Sequence, residues 1–96
     1  MLEQYFIKYE KDPDFLAEGL SIGIIETSLK VMKRKGISRA DLAREMGVPK
    51  SQISRLFNAP PNLTLLTIAR IAVALGVEPR ALLNTETAIE EEIAVP

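Results

Sequence analysis

The sequence predicts an all-α fold of five helices, and three observations support this prediction. Apolar residues recur at spacings of three and four through most of the 96-residue chain, as they do on one face of a helix. Asp, Ser or Thr precedes successive apolar segments as a cap, and Gly follows them. Hydrophobic residues make up 47% of the chain, enough for one core without metal or disulfide support. We expect a single domain over residues 13–84, an N-terminal segment of uncertain structure (1–12) and an acidic C-terminal tail (85–96).

The first predicted helix is long. Asp12, Pro13 and Asp14 form its start, with Asp12 as the cap and Pro13 at the first helical position. The apolar pattern continues to Lys35, and Gly36 ends the helix as a left-handed cap. Two neighbouring stripes contain Phe15, Ile22, Ile25, Leu29 and Met32 on one side and Leu16, Leu20, Ile24 and Val31 on the other. Together they are wider than one small core needs, which favours a second subunit against part of this helix.

Gly19 and Gly23 lie inside this helix, where each glycine costs about 1 kcal/mol relative to alanine. Two explanations are open at this point. Either the glycines permit close contact with another helix, or the helix breaks near them and resumes before Ile24.

Two short helices joined by a tight turn are predicted between Ser38 and Asn58. Ser38 caps the first, whose apolar positions are Leu42, Ala43 and Met46. Pro49, after Gly and Val, opens the second, which directs Ile53, Leu56 and Phe57 inward. Two helices joined by so short a turn cannot lie antiparallel, so the second presents an open polar face. This is the helix-turn-helix arrangement, whose usual ligand is the major groove of duplex DNA.

A loop and two more helices follow. Pro60 and Pro61 predict the loop, after which Thr64 caps a fourth helix that ends at Gly76. The apolar positions of the fourth helix are Leu65, Ile68, Ala69, Ala72 and Leu75. A short fifth helix is predicted from Arg80 to Leu83, and we expect Leu82 and Leu83 to close the core with Val77.

The pattern leaves the two ends of the chain open. Near the N-terminus Tyr5, Ile7 and Tyr9 alternate as in a strand, whereas Leu2, Tyr5, Phe6 and Tyr9 fit helical spacing. Near the C-terminus Thr87 and Glu90 have the spacing of a capping box, which predicts either a frayed turn or a docking helix.

Charge is distributed unevenly along the chain. The whole chain has 12 Lys and Arg against 13 Asp and Glu, a net charge of −1. Residues 28–70, here called the basic block, contain nine basic and two acidic side chains and so have a net charge of +7. Because phosphate binding depends on local cationic surface, the basic block predicts a nucleic acid partner. An alternative interpretation of Lys33, Arg34 and Lys35 is a solvated helix end, where cations suit the helix dipole.

Composition argues against several other functions. Cys and His are absent, which excludes disulfides, zinc sites built from these residues, thiol nucleophiles and histidine-based catalysis. The carboxylates cluster towards the ends without a pairing of base and nucleophile, so we expect no enzyme activity, no cofactor and no metal. The start of the chain lacks the features of a signal peptide, and no uncharged run could span a membrane. We therefore expect a cytoplasmic protein without a membrane partner.

Two stretches of the chain resemble the lambda-repressor-like, or XRE-type, helix-turn-helix family. They are ISRADLAREMGVPKSQISRLFN at residues 37–58 and NLTLLTIARIAVALGV at residues 62–77. The NLTL stretch, together with the Asp-Pro start of the first helix, is also similar to small regulators encoded as antitoxins beside a toxin gene. The resemblance implies an all-α helix-turn-helix bundle of five helices that binds double-stranded DNA.

The resemblance also implies roles for eight residues. Base contacts fall on the third helix at Lys50, Ser51, Gln52 and Arg55, and phosphate contacts fall at Arg39, Ser54, Asn58 and Thr64. The chemistry agrees, since Gln can bond adenine bidentately and Arg or Lys can bond guanine. Arg39 and Thr64 also lie at helix N-termini, where backbone N–H groups point towards an anion.

Some of these residues have other interpretations. Arg55 could pair with Glu45 or Asp41 instead of a base, and Arg44 is an ordinary surface position. Ala59 stands where the family commonly has Gly, so Asn58 itself is expected to adopt the left-handed backbone that ends the helix.

The leading hypothesis is a sequence-specific transcription regulator, a repressor that acts as a homodimer. One such module buries too little surface for tight specific binding, and two half-sites one helical turn apart are the usual remedy. The alternative is an antitoxin that also binds a toxin protein through the apolar residues Tyr5, Phe6, Ile7, Tyr9, Phe15 and Leu16. Ordinary packing or dimer contact would account for the same residues. A third hypothesis, a module that binds only protein, agrees poorly with the basic block.

Overall fold

The computed structural model describes residues 11–58 and 62–83, which form four α-helices and one 3₁₀ helix. The α-helices are α1 (Pro13–Lys35), α2 (Arg39–Met46), α3 (Lys50–Asn58) and α4 (Leu65–Leu75), and the 3₁₀ helix spans Pro79–Leu83. No strand occurs in the described residues. The all-α prediction is confirmed, with the difference that the expected fifth helix has 3₁₀ geometry. The strand or helix alternatives for the N-terminal residues, the proline loop and the spacing of Thr87 and Glu90 lie outside the described residues.

Side-chain caps start three of the helices as predicted. The Asp12 carboxylate accepts two backbone N–H groups of the first turn of α1, at 3.1 and 3.2 Å. Ser38 and Asp41 form a reciprocal capping box on α2, in which each side chain accepts the other residue's backbone N–H, at 3.0 and 2.9 Å. The Thr64 hydroxyl accepts the N–H of Thr67 at 3.1 Å and so caps α4. These contacts satisfy donors that have no partner inside a helix.

Glycine ends three helices in the left-handed region. Gly36, Gly47 and Gly76 have φ of 69°, 69° and 72°, and each backbone N–H bonds back to a carbonyl of its helix. A residue with a Cβ pays about 1–2 kcal/mol in this conformation. The left-handed backbone expected of Asn58 is wrong, because no described residue other than glycine has a positive φ. Asn58 instead remains the last residue of α3.

The core lies where all five elements meet. α2 packs against α3 and α4, and α1 and the 3₁₀ helix pack against each other and against α4. The buried apolar side chains of the core are Ile24, Ile25, Val31, Met32, Leu42, Ala43, Ile53, Phe57, Ile68, Ile71, Ala72, Leu75, Ala81 and Leu82. The inward positions predicted for α2 and α3 are confirmed, with Met46, Val48 and Leu56 half-buried at the edge of the core.

Two residues predicted for the core are exposed, and one core residue was not predicted. Leu65 is 84% exposed and Leu83 is 57% exposed. Ile71, which was not among the predicted core positions, is fully buried. α4 is apolar on almost every side, so periodicity alone could not say which of its faces points inward. Leu83 follows Leu82 in a 3₁₀ helix, where neighbours are about 120° apart, so both cannot face the core.

α1 is one unbroken helix of 23 residues. The break considered near Gly19 and Gly23 is therefore wrong, and a Cβ added at either glycine would meet nothing within 4 Å. Parts of the two predicted stripes are exposed, at Leu20, Ile22 and Leu29, while the side chains of Ser21, Thr27 and Ser28 are buried. A second subunit against α1 stays a prediction.

α1 is attached to both ends of α4. The Ser21 hydroxyl accepts the backbone N–H of Leu63, just before α4, at 3.3 Å. At the other end the Lys35 ammonium donates to the carbonyl oxygen of Leu75 at 2.7 Å. The two helices therefore run parallel, and α1 fixes the position of the start of α4.

Candidate nucleic-acid interface

The polar face predicted for α3 is exposed to solvent. Lys50, Ser51, Gln52 and Arg55 are all exposed, as is Asn58, whereas Ser54 is half-buried. The nine residues of α3 make a rod about 13 Å long. α3 begins directly after Pro49, whose carbonyl accepts the N–H of Gln52 at 3.0 Å. A helix with its side chains is about 10–12 Å across, so α3 with its open polar face fits a major groove about 12 Å wide.

The exposed residues of α3 form an ordered surface. Ser51, Arg55 and Asn58 have the spacing i, i+4 and i+7, so they lie in one row along the helix. Gln52 lies beside this row, and Lys50 is in the first turn. The four predicted base contacts are thus adjacent and could reach the bases of one groove together.

Arg55 does not form either ion pair that was considered for it. Among the described residues the salt bridges join Arg44 to Asp41, at 2.6 Å, and Arg80 to Glu78, at 3.7 Å. Asp41 is already occupied by the capping box and by Arg44. Its hydrogen bonds with the backbone N–H and then the hydroxyl of Ser38, followed by the bond from Arg44, lower its pKa from 3.8 to about 2. Within residues 11–58 and 62–83 the charge of Arg55 is therefore left for a ligand.

Arg39 joins the start of α2 to the end of α3. Its guanidinium carbon lies 5.4 Å from the centroid of the Phe57 ring, within the range of a cation–π interaction. The side chain is half-buried, and Phe57 directly precedes Asn58. The contact thus places Arg39, one predicted phosphate contact, at the end of α3 that includes Asn58, another.

Thr64 is placed at the helix start expected of it, but its hydroxyl already has partners. The oxygen accepts the N–H of Thr67, and the hydroxyl donates to the Thr67 oxygen at 3.0 Å. A phosphate bound here would lie at the N-terminus of α4. To donate to it, the Thr64 hydroxyl would have to give up its hydrogen bond to the Thr67 oxygen.

Two cations have positions that the sequence pattern did not reveal. A recess of about 320 Å³ separates α3 from α4, with Gln52 and Arg55 on one side and Thr67 and Arg70 on the other. Arg70 therefore adds positive charge beside the predicted base contacts. Lys35, in contrast, bonds to the end of α4, so that this member of the basic block has a structural role. Neither position could be read from spacing, because each depends on how two distant segments pack.

Other kinds of site are not evident in the described part of the chain. No group of three or more His, Cys, Asp or Glu residues there could hold a metal ion. Within the same residues, no helix has the length and hydropathy required to cross a membrane.

Comparison with known proteins identifies the family. Neither the curated proteins nor the solved structures contain a match to the chain. The family model described as Helix-turn-helix matches residues 29–82, more than half of the chain. The match includes α2, α3, α4 and the end of α1, together with all eight residues expected to contact DNA. The chain therefore belongs to the XRE-type, lambda-repressor-like helix-turn-helix family of DNA-binding transcription regulators.

Proposed function

We propose that the protein is a sequence-specific repressor that binds double-stranded DNA as a homodimer, with α3 in the major groove. The main support is the exposed polar face of α3 at the centre of a basic block of net charge +7. A protein bound in this way acts as a repressor when its site overlaps a promoter, because it occupies the DNA that the polymerase needs.

The proposal divides the eight residues into two groups. Lys50, Ser51, Gln52 and Arg55 contact base edges, and Arg39, Ser54, Asn58 and Thr64 contact phosphates. Base contacts determine sequence preference, whereas phosphate contacts fix the position of the protein on any sequence. The exposure of Gln52 and Arg55 beside one recess supports the first group, and the meeting of Arg39 with the end of α3 supports the second.

A homodimer follows from the size of the module. One short helix contacts too few base pairs for tight specific binding, and two copies related by a two-fold axis contact half-sites about 34 Å apart. If each copy neutralises three or four phosphates, log affinity falls with log salt at a slope of about −5 to −7. A flat salt dependence would contradict the proposal.

Selection of bound sequences from a random duplex library tests binding, symmetry and spacing together. We expect an inverted repeat whose halves are about 10 base pairs apart from centre to centre. Gln52→Ala should relax the preference at one base pair in each half-site, whereas Arg39→Ala should weaken all sequences alike. Arg80→Ala, which removes an exposed cation outside the basic block, is the control and should bind normally. Identical behaviour of the Gln52 and Arg39 variants over a panel of sites would refute the division of roles.

The exposed apolar residues of α1 support a second candidate function, an antitoxin that also binds a toxin protein. Leu20 and Ile22 are 61% and 41% exposed, and both lie in the part of α1 that precedes the family match. Phe15 and Leu16 are half-buried, so intramolecular packing uses only part of their surface. Co-purification with the product of the adjacent reading frame tests this candidate, and the absence of a complex would refute it.

A further inference from the structure

The outer face of α4 is apolar although it faces solvent. The inner face holds Ile68, Ile71, Ala72 and Leu75 in the core. On the outer face Leu66 is 59% exposed and Val73 is 79% exposed, with the half-buried Ala69 between them. The spacing i, i+3 and i+7 puts Leu66, Ala69 and Val73 in one strip. A surface helix of a monomer normally has polar residues in these positions.

Opposite charges flank this strip. Arg70 is the one charged residue of α4, and Glu45 faces the strip from the end of α2. Both side chains are exposed, and neither has a salt bridge within the described residues. Between the two helices lies a shallow recess of about 340 Å³ whose floor includes Met46 and Ala69. The surface thus contains protruding apolar side chains, a recess and one charge of each sign.

We propose that this surface, here called the α4 face, binds the α4 face of a second copy of the chain. In a two-fold interface each surface must complement itself, because residue i contacts residue j and j contacts i. Leu66 and Val73 of one copy would fill the partner's recess, and Arg70 would meet the partner's Glu45. Two ion pairs would then form at the edge of a shared apolar strip. This charge pattern favours a second copy over a partner whose surface has a single sign of charge.

The α4 face lies where a dimer contact would suit binding to two half-sites, and on this point the inference rests on the proposed function. Arg70 borders both the recess beside α3 and the recess of the α4 face. The interface would therefore lie next to the recognition helix. A contact there keeps the two copies of α3 close enough for half-sites about 34 Å apart.

The exposed residues of α1 form a weaker candidate for the same contact. Leu20 and Ile22 are two residues apart, so they lie on opposite sides of the helix. The surface between them contains Gly19, Glu26 and Lys30, which are exposed. Ile22 and Leu29 do share the i, i+7 spacing of Leu66 and Val73, but they are only 41% and 36% exposed, so the apolar strip of α1 offers less surface to a partner than that of α4.

Sedimentation equilibrium of charge-reversal variants of the full chain, without DNA, tests the proposal. We expect the wild type to dimerise, and we expect Glu45→Arg and Arg70→Glu each to weaken the dimer about tenfold or more, since each places like charges together. The double variant Glu45→Arg/Arg70→Glu restores the pairs and should return the dissociation constant to within about threefold of wild type. A double variant no tighter than the singles would overturn the proposal.

Leu66→Asp and Leu20→Asp are a matched pair, since the two leucines are 59% and 61% exposed. Leu66→Asp should abolish the dimer and Leu20→Asp should leave it intact, with both variants retaining the wild-type circular dichroism spectrum. The reverse result, or a wild type that stays monomeric at about 100 μM, overturns the proposed interface. Titration of a duplex with a single half-site separates this failure from that of the proposed function. Leu66→Asp should bind it as the wild type does, and a wild type that binds neither this duplex nor one with both half-sites would contradict DNA recognition itself.

Discussion

Replacing Arg39 with glutamine removes a charge that the structure uses in two ways. The half-buried guanidinium lies 5.4 Å from the Phe57 ring, and a cation–π contact contributes about 0.5–1 kcal/mol to stability even at an exposed site. For a domain of this size the loss corresponds to a decrease of about 2–8 °C in Tm. In a homodimer two phosphate contacts disappear as well, so the slope of log affinity against log salt should become shallower by about 1.8.

Two measurements separate these effects. Thermal unfolding followed by circular dichroism gives the change in stability, and fluorescence anisotropy with a labelled duplex at about 50–200 mM salt gives the slope. Arg80→Gln is the control, because Arg80 is 88% exposed and its 3.7 Å pair with Glu78 contributes little. A lower Tm with an unchanged salt slope would refute the phosphate contact. No change in either quantity would also refute the energetic role of the contact with Phe57.

Two further predictions concern local structure, one at the start of α2 and one at glycines of α1 and α2. The Ser38 capping hydrogen bonds and Arg44 lower the pKa of Asp41 to about 2, so its ionised form stabilises the fold above its ordinary pKa of 3.8, and this stabilisation is lost as pH falls through the folded value. Thermal unfolding of Asp41→Asn should therefore depend less on pH between about 4 and 2 than that of the wild type, and equal dependence would contradict the assignment. Gly47→Ala should destabilise the fold by about 1–2 kcal/mol because of its positive φ, whereas Gly19→Ala should stabilise α1 by about 0.5–1 kcal/mol, since a Cβ meets nothing there. Denaturant titration measures both changes, and a destabilising Gly19→Ala would indicate a close contact at α1.

The helix boundaries could be predicted because their signals are local. Asp12, Ser38 and Thr64 bond to N–H groups two or three residues away, and Gly36 and Gly76 need only their own backbone conformation. Such signals do not depend on how the helices pack. They are sufficient to determine where α1, α2 and α4 begin and end.

The sequence could not predict which side of α4 is buried, because packing between distant segments decides it. With a single charge in eleven residues, α4 offers two apolar faces, and contact with α1, α2 and the 3₁₀ helix decides that Ile71 is buried and Leu66 exposed. The candidate interface was likewise predictable only in part. The polar face of α3 follows from periodicity, whereas the contact of Arg39 with Phe57 and the position of Arg70 depend on how the helices pack.

The part of α1 that precedes the family match contributes directly to the DNA-binding domain. A partly buried N–H without a partner costs about 1–3 kcal/mol, and the N–H of Leu63 has its partner in Ser21, which lies outside residues 29–82. This bond fixes the backbone immediately before Thr64 and hence the start of α4. Because α4 borders both the recess beside α3 and the α4 face, α1 positions surfaces that it does not itself form. Ser21→Ala, which removes the acceptor of the Leu63 N–H, should consequently alter DNA binding or dimerisation although Ser21 contacts neither partner.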